Sequence, residues 1–152
     1  MVGEQLVEGE TDVAQLWNEI NAKWRKVHGA AERNLEKAGF SLVEFHALLD
    51  LHCNGRLPMV KFADDLGVTS AAVTGIIDRL ESRRLVERFR SGEDRRIVKI
   101  GITARGEAAF GKAKKAHERL VGHLLANLDQ EDIQRLVEIY SRLEESASSF
   151  EG

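Results

Sequence analysis

The stretch 58–102 constrains the fold most, because the spacing of its apolar residues changes along it. One stripe at three- and four-residue steps predicts a helix capped by Thr69, with Val73, Ile76, Ile77 and Leu80 on one face. A shorter helix is predicted before it, from Pro58 to Gly67. The β-branched runs LVERFR and IVKIGI follow and predict a β-hairpin. Two helices joined by the tight turn LGVT therefore precede a two-stranded hairpin.

Two helices are predicted before this stretch. Apolar residues from Val13 to Leu35 recur with helical spacing, and Gly39 ends that segment. Ser41 and Glu44 have the spacing of a capping box, so a second helix is expected to start at Ser41 and to stop near Asn54-Gly55.

Two more helices are predicted after the hairpin. Thr103 starts one that continues for about seven turns to Leu128. Three glycines are expected to weaken it: Gly106, Gly111 and Gly122. Asp129 starts the last helix, whose apolar residues are expected to face inward: Ile133, Leu136, Val137, Tyr140, Leu143 and Phe150. The chain is therefore expected to be mainly α with a small β-hairpin, as one compact domain in which helical regions 1–38 and 104–152 flank the segment 41–103.

Charge is divided unevenly along the chain. The formal net charge is −3, but the segment 55–105 carries +4 and the remainder −7. A basic middle between acidic ends is typical of a surface for an acidic partner such as nucleic acid. The single Cys53 excludes an internal disulfide framework, and no apolar stretch approaches the ~18 residues that a membrane span needs. We therefore expect a cytoplasmic protein with no membrane partner.

A short helix, a tight turn, a second helix and a hairpin are the layout of a winged helix-turn-helix, whose second helix enters the DNA major groove. The stretch LGVTSAAVTGIIDRLESRRLVERFRSGEDRRIVKIGITARG resembles the core of the MarR family, the multiple antibiotic resistance regulators. The matching pieces are DRLE in the second helix, LVER on the first wing strand, DRR at the wing and T-x-x-G at the next helix. The flanking helices extend the similarity over nearly the whole chain. The resemblance implies a transcription regulator of double-stranded DNA, more often a repressor than an activator.

The exposed face of the second helix supplies candidate DNA contacts. Small side chains at Ala71, Thr74 and Gly75 would let the helix backbone lie close to base edges, and Thr74 could contact a thymine methyl. The free amides at Thr69 and Ser70 could bind a phosphate. The same small residues would also suit an ordinary surface helix. Many relatives carry Arg where this chain has Gly75, so their base specificity does not transfer.

Arg79 lies at the edge of that face, where it could reach a phosphate or pair with Asp78 or Glu81 on its own helix. Asp78 would oppose DNA binding unless an arginine neutralised it. We therefore expect Asp78 to brace the structure, with Arg88 as its partner.

The wing carries the sharper set of candidates. In an extended chain residues two apart point the same way, so Asp94 can orient the guanidinium of Arg96 for a narrow minor groove. The resemblance implies the same use of the Asp and the second Arg of DRR. Arg90 and Arg95 would contact nearby phosphates. The alternative is a solvated hairpin tip with a weak surface ion pair.

Two copies are expected, because DNA half-sites about one helical turn, ~34 Å, apart are read by paired units. The outer helices carry apolar stripes broader than one winged domain could cover. Six of their residues would form an exposed patch in a monomer: Leu16, Trp17, Leu128, Ile133, Val137 and Tyr140. We interpret the patch as the interface of a homodimer on a pseudo-palindromic duplex. Packing of the same helices within one chain would use part of each stripe.

The resemblance also implies a cleft for a small aromatic or anionic effector that weakens DNA binding. Candidates by position are Trp17, Trp24, Arg25, His28 and His46, although aromatic residues at helical spacing are more often part of a core. The five histidines show no H-x-x-x-H pair, so neither a metal nor another cofactor is expected.

Two other functions remain as alternatives. A winged-helix adaptor would bind proteins and not DNA, but its hairpin should lack arginines at the tip. An enzyme should show a nucleophile elbow, a phosphate-binding loop or a metal-ligand cluster, and the sequence has none of these motifs.

Overall fold

The computed structural model describes residues 12–90 and 97–150, which form six helices and three strands. In chain order these are α1 Val13–Glu36, α2 Leu42–Asn54, β1 Leu57–Pro58, α3 Met59–Leu66, α4 Ser70–Ser82, β2 Val86–Arg90, β3 Val98–Ile102, α5 Ala104–Leu125 and α6 Gln130–Ser148. The predicted fold class, mainly α with a β-hairpin wing, is confirmed.

The helices begin where the sequence supplies side-chain caps. Ser41 Oγ accepts from the Glu44 amide at 3.2 Å, and Glu44 Oε2 accepts from the Ser41 amide at 3.1 Å, which confirms the capping box. Thr69, Thr103 and Asp129 likewise accept backbone amides of the first turns of α4, α5 and α6. Each of these caps is a local interaction, so the sequence pattern was sufficient to place it.

The sheet has one strand more than the sequence predicts. β2 and β3 pair antiparallel, with Val86 opposite Ile102, as expected for the hairpin. β1 pairs with the other edge of β3, with Leu57 opposite Ile100, so the strand order is β1-β3-β2. A two-residue strand ending in Pro58 is too short to show alternation, and only its position beside β3 makes it a strand.

The core lies between the end of α1, α2, α3, α4, the sheet and the first half of α5. Its largest fully buried side chains are Phe45, Phe62, Phe110, Leu35, Leu48, Leu51, Ile77, Leu80 and Ile100. Burial of each contributes about 1.5–3 kcal/mol against unfolding. This core fixes α3, α4 and the sheet relative to one another.

The outer helices depart from the sequence predictions. α5 ends at Leu125, so Leu128 lies in the connection to α6. α6 has no buried residue, and Phe150 beyond its end is 78% exposed, so the expectation that these residues face inward is wrong for the single chain. Periodicity predicted the helix, but it does not say which surface covers an apolar face.

Candidate nucleic-acid interface

α4 presents two faces of different chemistry. Its apolar stripe is buried in the core: Val73, Ile76, Ile77 and Leu80. On the other face Ala71 and Thr74 are exposed and Gly75 is half-buried. The Thr74 hydroxyl donates to the Ser70 carbonyl oxygen at 3.1 Å, which leaves its methyl group and lone pairs on the surface. At these three positions the exposed face carries only small side chains, as the sequence predicted.

The start of α4 leaves backbone donors at the same surface. Thr69 Oγ1 accepts from the Ala72 amide at 3.2 Å, and both Thr69 and Ser70 are exposed. The positive end of the helix dipole lies at this terminus, where an anion is favoured.

Arg88 joins α4 to the first wing strand. Its guanidinium pairs with Asp78 at 2.5 Å and also with Glu81, while 29% of its side chain is exposed. The predicted pair between Asp78 and Arg88 is confirmed. Because both carboxylates lie on α4 and the arginine on β2, this network holds the helix and the wing in one orientation.

Arg79 has a partner that the sequence did not reveal. Of the two alternatives left open by the sequence, the pair with Asp78 or Glu81 is not formed, because Arg79 Nε donates to Glu44 Oε1 on α2 at 3.1 Å. Arg83 Nη1 lies 3.6 Å from the other oxygen of the same carboxylate. No helical spacing relates α2 to α4, so only the tertiary packing shows this contact.

The base of the wing is braced on its outer side. The Arg56 guanidinium stacks over the Phe89 ring at 3.5 Å from its centroid, across the face of the sheet. A Cβ at Gly101 would lie 2.8 Å from Phe89 Cε2, so this glycine makes room for the ring. Arg90 is exposed at the end of β2. The candidate wing residues Asp94, Arg95 and Arg96 lie outside the described residues.

Apolar side chains of α1, α5 and α6 remain uncovered in the single chain. Five of the six interface candidates are exposed and the sixth, Ile133, is half-buried; the exposed ones are Leu16, Trp17, Leu128, Val137 and Tyr140. A groove of about 480 Å³ between the three helices is lined mainly by aliphatic and aromatic residues, among them Ile20, Trp24, Leu124 and Leu136.

The effector candidates lie along α1 and at its junction with α2. Trp24 contacts His28 and Tyr140, with ring centroids 4.1 and 5.6 Å apart. Trp17 lines a second, smaller groove together with Trp24 and Tyr140, and Arg25 is exposed. His46 contacts Phe45, and not the two tryptophans. The structure therefore groups Trp17, Trp24 and His28 and places His46 apart from the tryptophans.

The histidine at the α5 side of this junction was missed from the sequence. His117 contacts Phe45, and its buried Nδ1 has no hydrogen-bond partner among the described residues. Burial lowers the pKa of His117, although Glu118 opposes the shift. Burial and the nearby His117 lower the pKa of His46, with His28 acting in the same direction and Asp50 against it.

Two further kinds of site were sought in the described ranges. No group of three His, Cys, Asp or Glu side chains there has a metal-binding arrangement. None of the helices in those ranges combines the length and apolar composition of a membrane span.

The fold and the surface of α4 define a class of protein, the winged helix-turn-helix transcriptional regulators. The model of the MarR family matches residues 40–98. The HTH-type transcriptional regulator YhbI of Bacillus subtilis (strain 168) is 31% identical over 122 residues, which cover 80% of this chain and 79% of YhbI. The transcriptional repressor MdtR of the same strain is 25% identical, over 87% of this chain and 85% of MdtR.

A solved structure agrees with these relatives. The transcriptional regulator BldR of Sulfolobus solfataricus superposes with a TM-score of 0.74 at 31% identity, over 85% of this chain and 94% of BldR. The chain belongs to the MarR family. It is a DNA-binding transcriptional regulator and not an enzyme, and these similarities do not favour the protein-binding adaptor.

Proposed function

We propose that the protein is a homodimeric repressor that binds a pseudo-palindromic operator, with α4 in the major groove and the wing in the adjacent minor groove. The observation that carries this proposal is the ion-pair network of Arg88 with Asp78 and Glu81. It holds the exposed face of α4, with its small side chains, and the wing strands in one orientation. Chromosomal DNA lies in the bacterial or archaeal cytoplasm, so we propose that the protein acts there.

Each DNA-binding candidate has a proposed role. The amides of Thr69 and Ser70 bind a phosphate at the start of α4, while Ala71, Thr74 and Gly75 allow close approach to base edges. On the basis of the sequence alone, Asp94 orients Arg96 in the minor groove, and Arg90 and Arg95 contact phosphates. Arg79 is the remaining contact on α4.

We propose that a second copy of the chain covers the apolar groove between α1, α5 and α6. The uncovered residues Leu16, Trp17, Leu128, Ile133, Val137 and Tyr140 belong to this interface. A single chain that exposed so many large apolar side chains on three helices would tend to associate. The operator geometry argues for the same occupant, because two half-sites need two α4 helices. Regions 1–38 and 104–152 would then serve dimerisation and 41–103 DNA binding.

A small aromatic or anionic effector is proposed to weaken DNA binding from the junction of α1, α2 and α5. The supporting observation is the Nδ1 of His117, which has no hydrogen-bond partner in the described part of the chain, lies near His46 and could donate to a carboxylate or phenolate. Trp24 contacts His28 on α1, and the other candidates Trp17 and Arg25 lie on the same helix. An effector would act only by favouring a dimer whose α4 helices are wrongly spaced.

The test of DNA recognition is selection of duplexes from random DNA by the purified protein. We expect enrichment of a pseudo-palindrome with half-sites about one helical turn apart, and an affinity that falls steeply with added salt. Failure to retain any duplex at low salt would reject the proposal in favour of the adaptor. A thermal-shift screen of aromatic acids tests the effector, which should raise the melting temperature of the free protein.

A further inference from the structure

Glu44 is the buried charged residue of the described chain. Only 9% of its side chain is exposed, and its carboxylate is surrounded by donors. It accepts from the Ser41 amide at 3.1 Å and from Arg79 Nε at 3.1 Å, and Arg83 Nη1 lies 3.6 Å away. Burial of a carboxylate destabilises the fold unless the charge is paired. The contacts with Glu44 therefore hold the Arg79 side chain in a defined position.

The guanidinium of Arg79 is bound to Glu44 through Nε, and its terminal nitrogens face the surface. Glu44 takes only its Nε, no described residue accepts from its terminal nitrogens, and 57% of the side chain is exposed. Side chains on a helix point towards its N-terminus, and a Cβ placed at Gly75 would lie 3.6 Å from Arg79 Nη1. The guanidinium therefore lies over Gly75, on the same face as Ala71, and points its free donors towards the first half of α4.

We propose that Glu44 is a positioning residue that presents the terminal nitrogens of Arg79 to a base edge in the major groove. The first half of the recognition helix is the part that contacts base edges, and a guanidinium can donate twice to the O6 and N7 acceptors of guanine. Gly75 is needed for this arrangement, because a long side chain there would occupy the space of the Arg79 guanidinium. The inference rests on the proposed function and adds a specificity contact to it.

If Glu44 had a purely structural role, its removal should change the DNA affinity in the opposite direction. Removing a carboxylate near DNA should strengthen binding on charge alone, because DNA is a polyanion. Loss of a positioned arginine contact should weaken binding despite the more favourable charge. The direction of the change therefore separates the two roles.

The chain offers a matched control in Glu32. Its Oε2 accepts from the Leu42 amide at 3.0 Å, so it is a second carboxylate at the same end of α2, but it contacts no arginine of α4. Glu32→Gln, on α1, removes the same charge near the same end of α2. A difference between Glu44→Gln and Glu32→Gln then reports the contact with Arg79.

The experiment measures affinity for a duplex selected by the wild-type protein, for Glu44→Gln, Arg79→Ala, their double variant and Glu32→Gln. We expect Glu44→Gln and Arg79→Ala each to weaken binding by about tenfold, and the double variant to be no weaker than Arg79→Ala. Glu32→Gln should bind at least as tightly as wild type. Selection with Arg79→Ala should lose the preference for one base pair in each half-site.

Three results for Glu44→Gln and Arg79→Ala would overturn the inference while leaving the proposed function intact. Glu44→Gln could bind as tightly as wild type or tighter, it could weaken binding equally with and without Arg79, or Arg79→Ala could weaken all sequences alike, as a phosphate contact would. Because Glu44→Gln could loosen α2, Arg79→Lys provides a variant that leaves the buried carboxylate in place. Lysine keeps the charge and loses the two-pronged donor, so wild-type base preference in Arg79→Lys would also reject the inference. If wild type selects no duplex, the proposed function itself has failed.

Discussion

Gly106 at the start of α5 lies directly against Leu85 before β2, and a Cβ on Gly106 would stand 2.0 Å from the Leu85 carbonyl oxygen. The same oxygen accepts from the Thr103 amide at 3.0 Å, and the Thr103 hydroxyl donates to the Arg84 carbonyl oxygen at 2.8 Å. The sequence predicts only that Gly106 weakens α5, and the structure adds a packing role to that glycine. The T-x-x-G motif joins α5 to the wing, since Thr103 forms the bonds and Gly106 permits the approach.

Replacement of Gly106 by Ala should destabilise the protein by about 1–3 kcal/mol, because the backbone must move to admit the methyl group. The matched control is Gly111→Ala in the same helix, where a Cβ would meet nothing within 4 Å. There the gain in helix propensity should stabilise by roughly 0.5–1 kcal/mol. Urea unfolding measures both, and two changes of the same sign would contradict the assigned packing.

Arg88→Ala should lower the free energy of unfolding by about 1 kcal/mol, the upper end for partly exposed ion pairs. It should also weaken DNA binding by more than the removal of one positive charge would do alone. The reason is that Asp78 and Glu81 would be left unneutralised on the DNA-facing helix. Arg135→Ala, which breaks an exposed pair with Glu131 on α6, is the control and should cost only ~0.3–0.5 kcal/mol. Equal DNA affinity in the two variants would show that Arg88 does not couple α4 to the wing.

Stability should fall as the pH drops below about 6.5, the ordinary pKa of histidine. The pKa values of His46 and His117 are lowered in the folded chain, so the unfolded chain binds protons first and is favoured by acid. Above that pH both groups are neutral in both states, and they contribute no pH dependence. Urea unfolding between pH 7.5 and 5.5 should show a shallower decline for the double variant His46→Gln/His117→Gln. An unchanged decline would mean that other groups control the acid sensitivity.

Val137→Asp should convert the proposed dimer to monomers and abolish tight operator binding, because a charge would be buried in the interface. The control is Val60→Asp, since Val60 is 76% exposed and Val137 62%, but Val60 lies on α3 and not on one of the three outer helices. Sedimentation velocity should show monomers for the first variant and dimers for the second. Dimers in both would place the interface elsewhere.

Arg96→Ala should weaken DNA binding by about 1–3 kcal/mol, as for other specific arginine contacts, and should leave the dimer intact. Binding is measured by titration of a labelled selected duplex, and the oligomeric state by sedimentation. A titration curve identical to that of wild type would remove the wing from the mechanism.

The sequence by itself determined the elements and their order. Helical periodicity, the caps at Ser41, Thr69, Thr103 and Asp129, and the β-branched runs placed the six helices and the two longer strands of the described ranges. These signals are local, because a cap or an apolar stripe involves residues only a few positions apart. The family motifs are also short segments of sequence, so they could be recognised without the structure.

Tertiary structure alone decided which residues meet across elements. The pair of Glu44 and Arg79 joins residues 35 positions apart, β1 is a strand only beside β3, and Gly106 has no room for a Cβ only because Leu85 lies above it. The exposure of α6 follows from the same cause, since an apolar stripe fixes the shape of a helix and not the surface that covers it. Contacts of this kind depend on how elements pack, and no spacing along the chain encodes them.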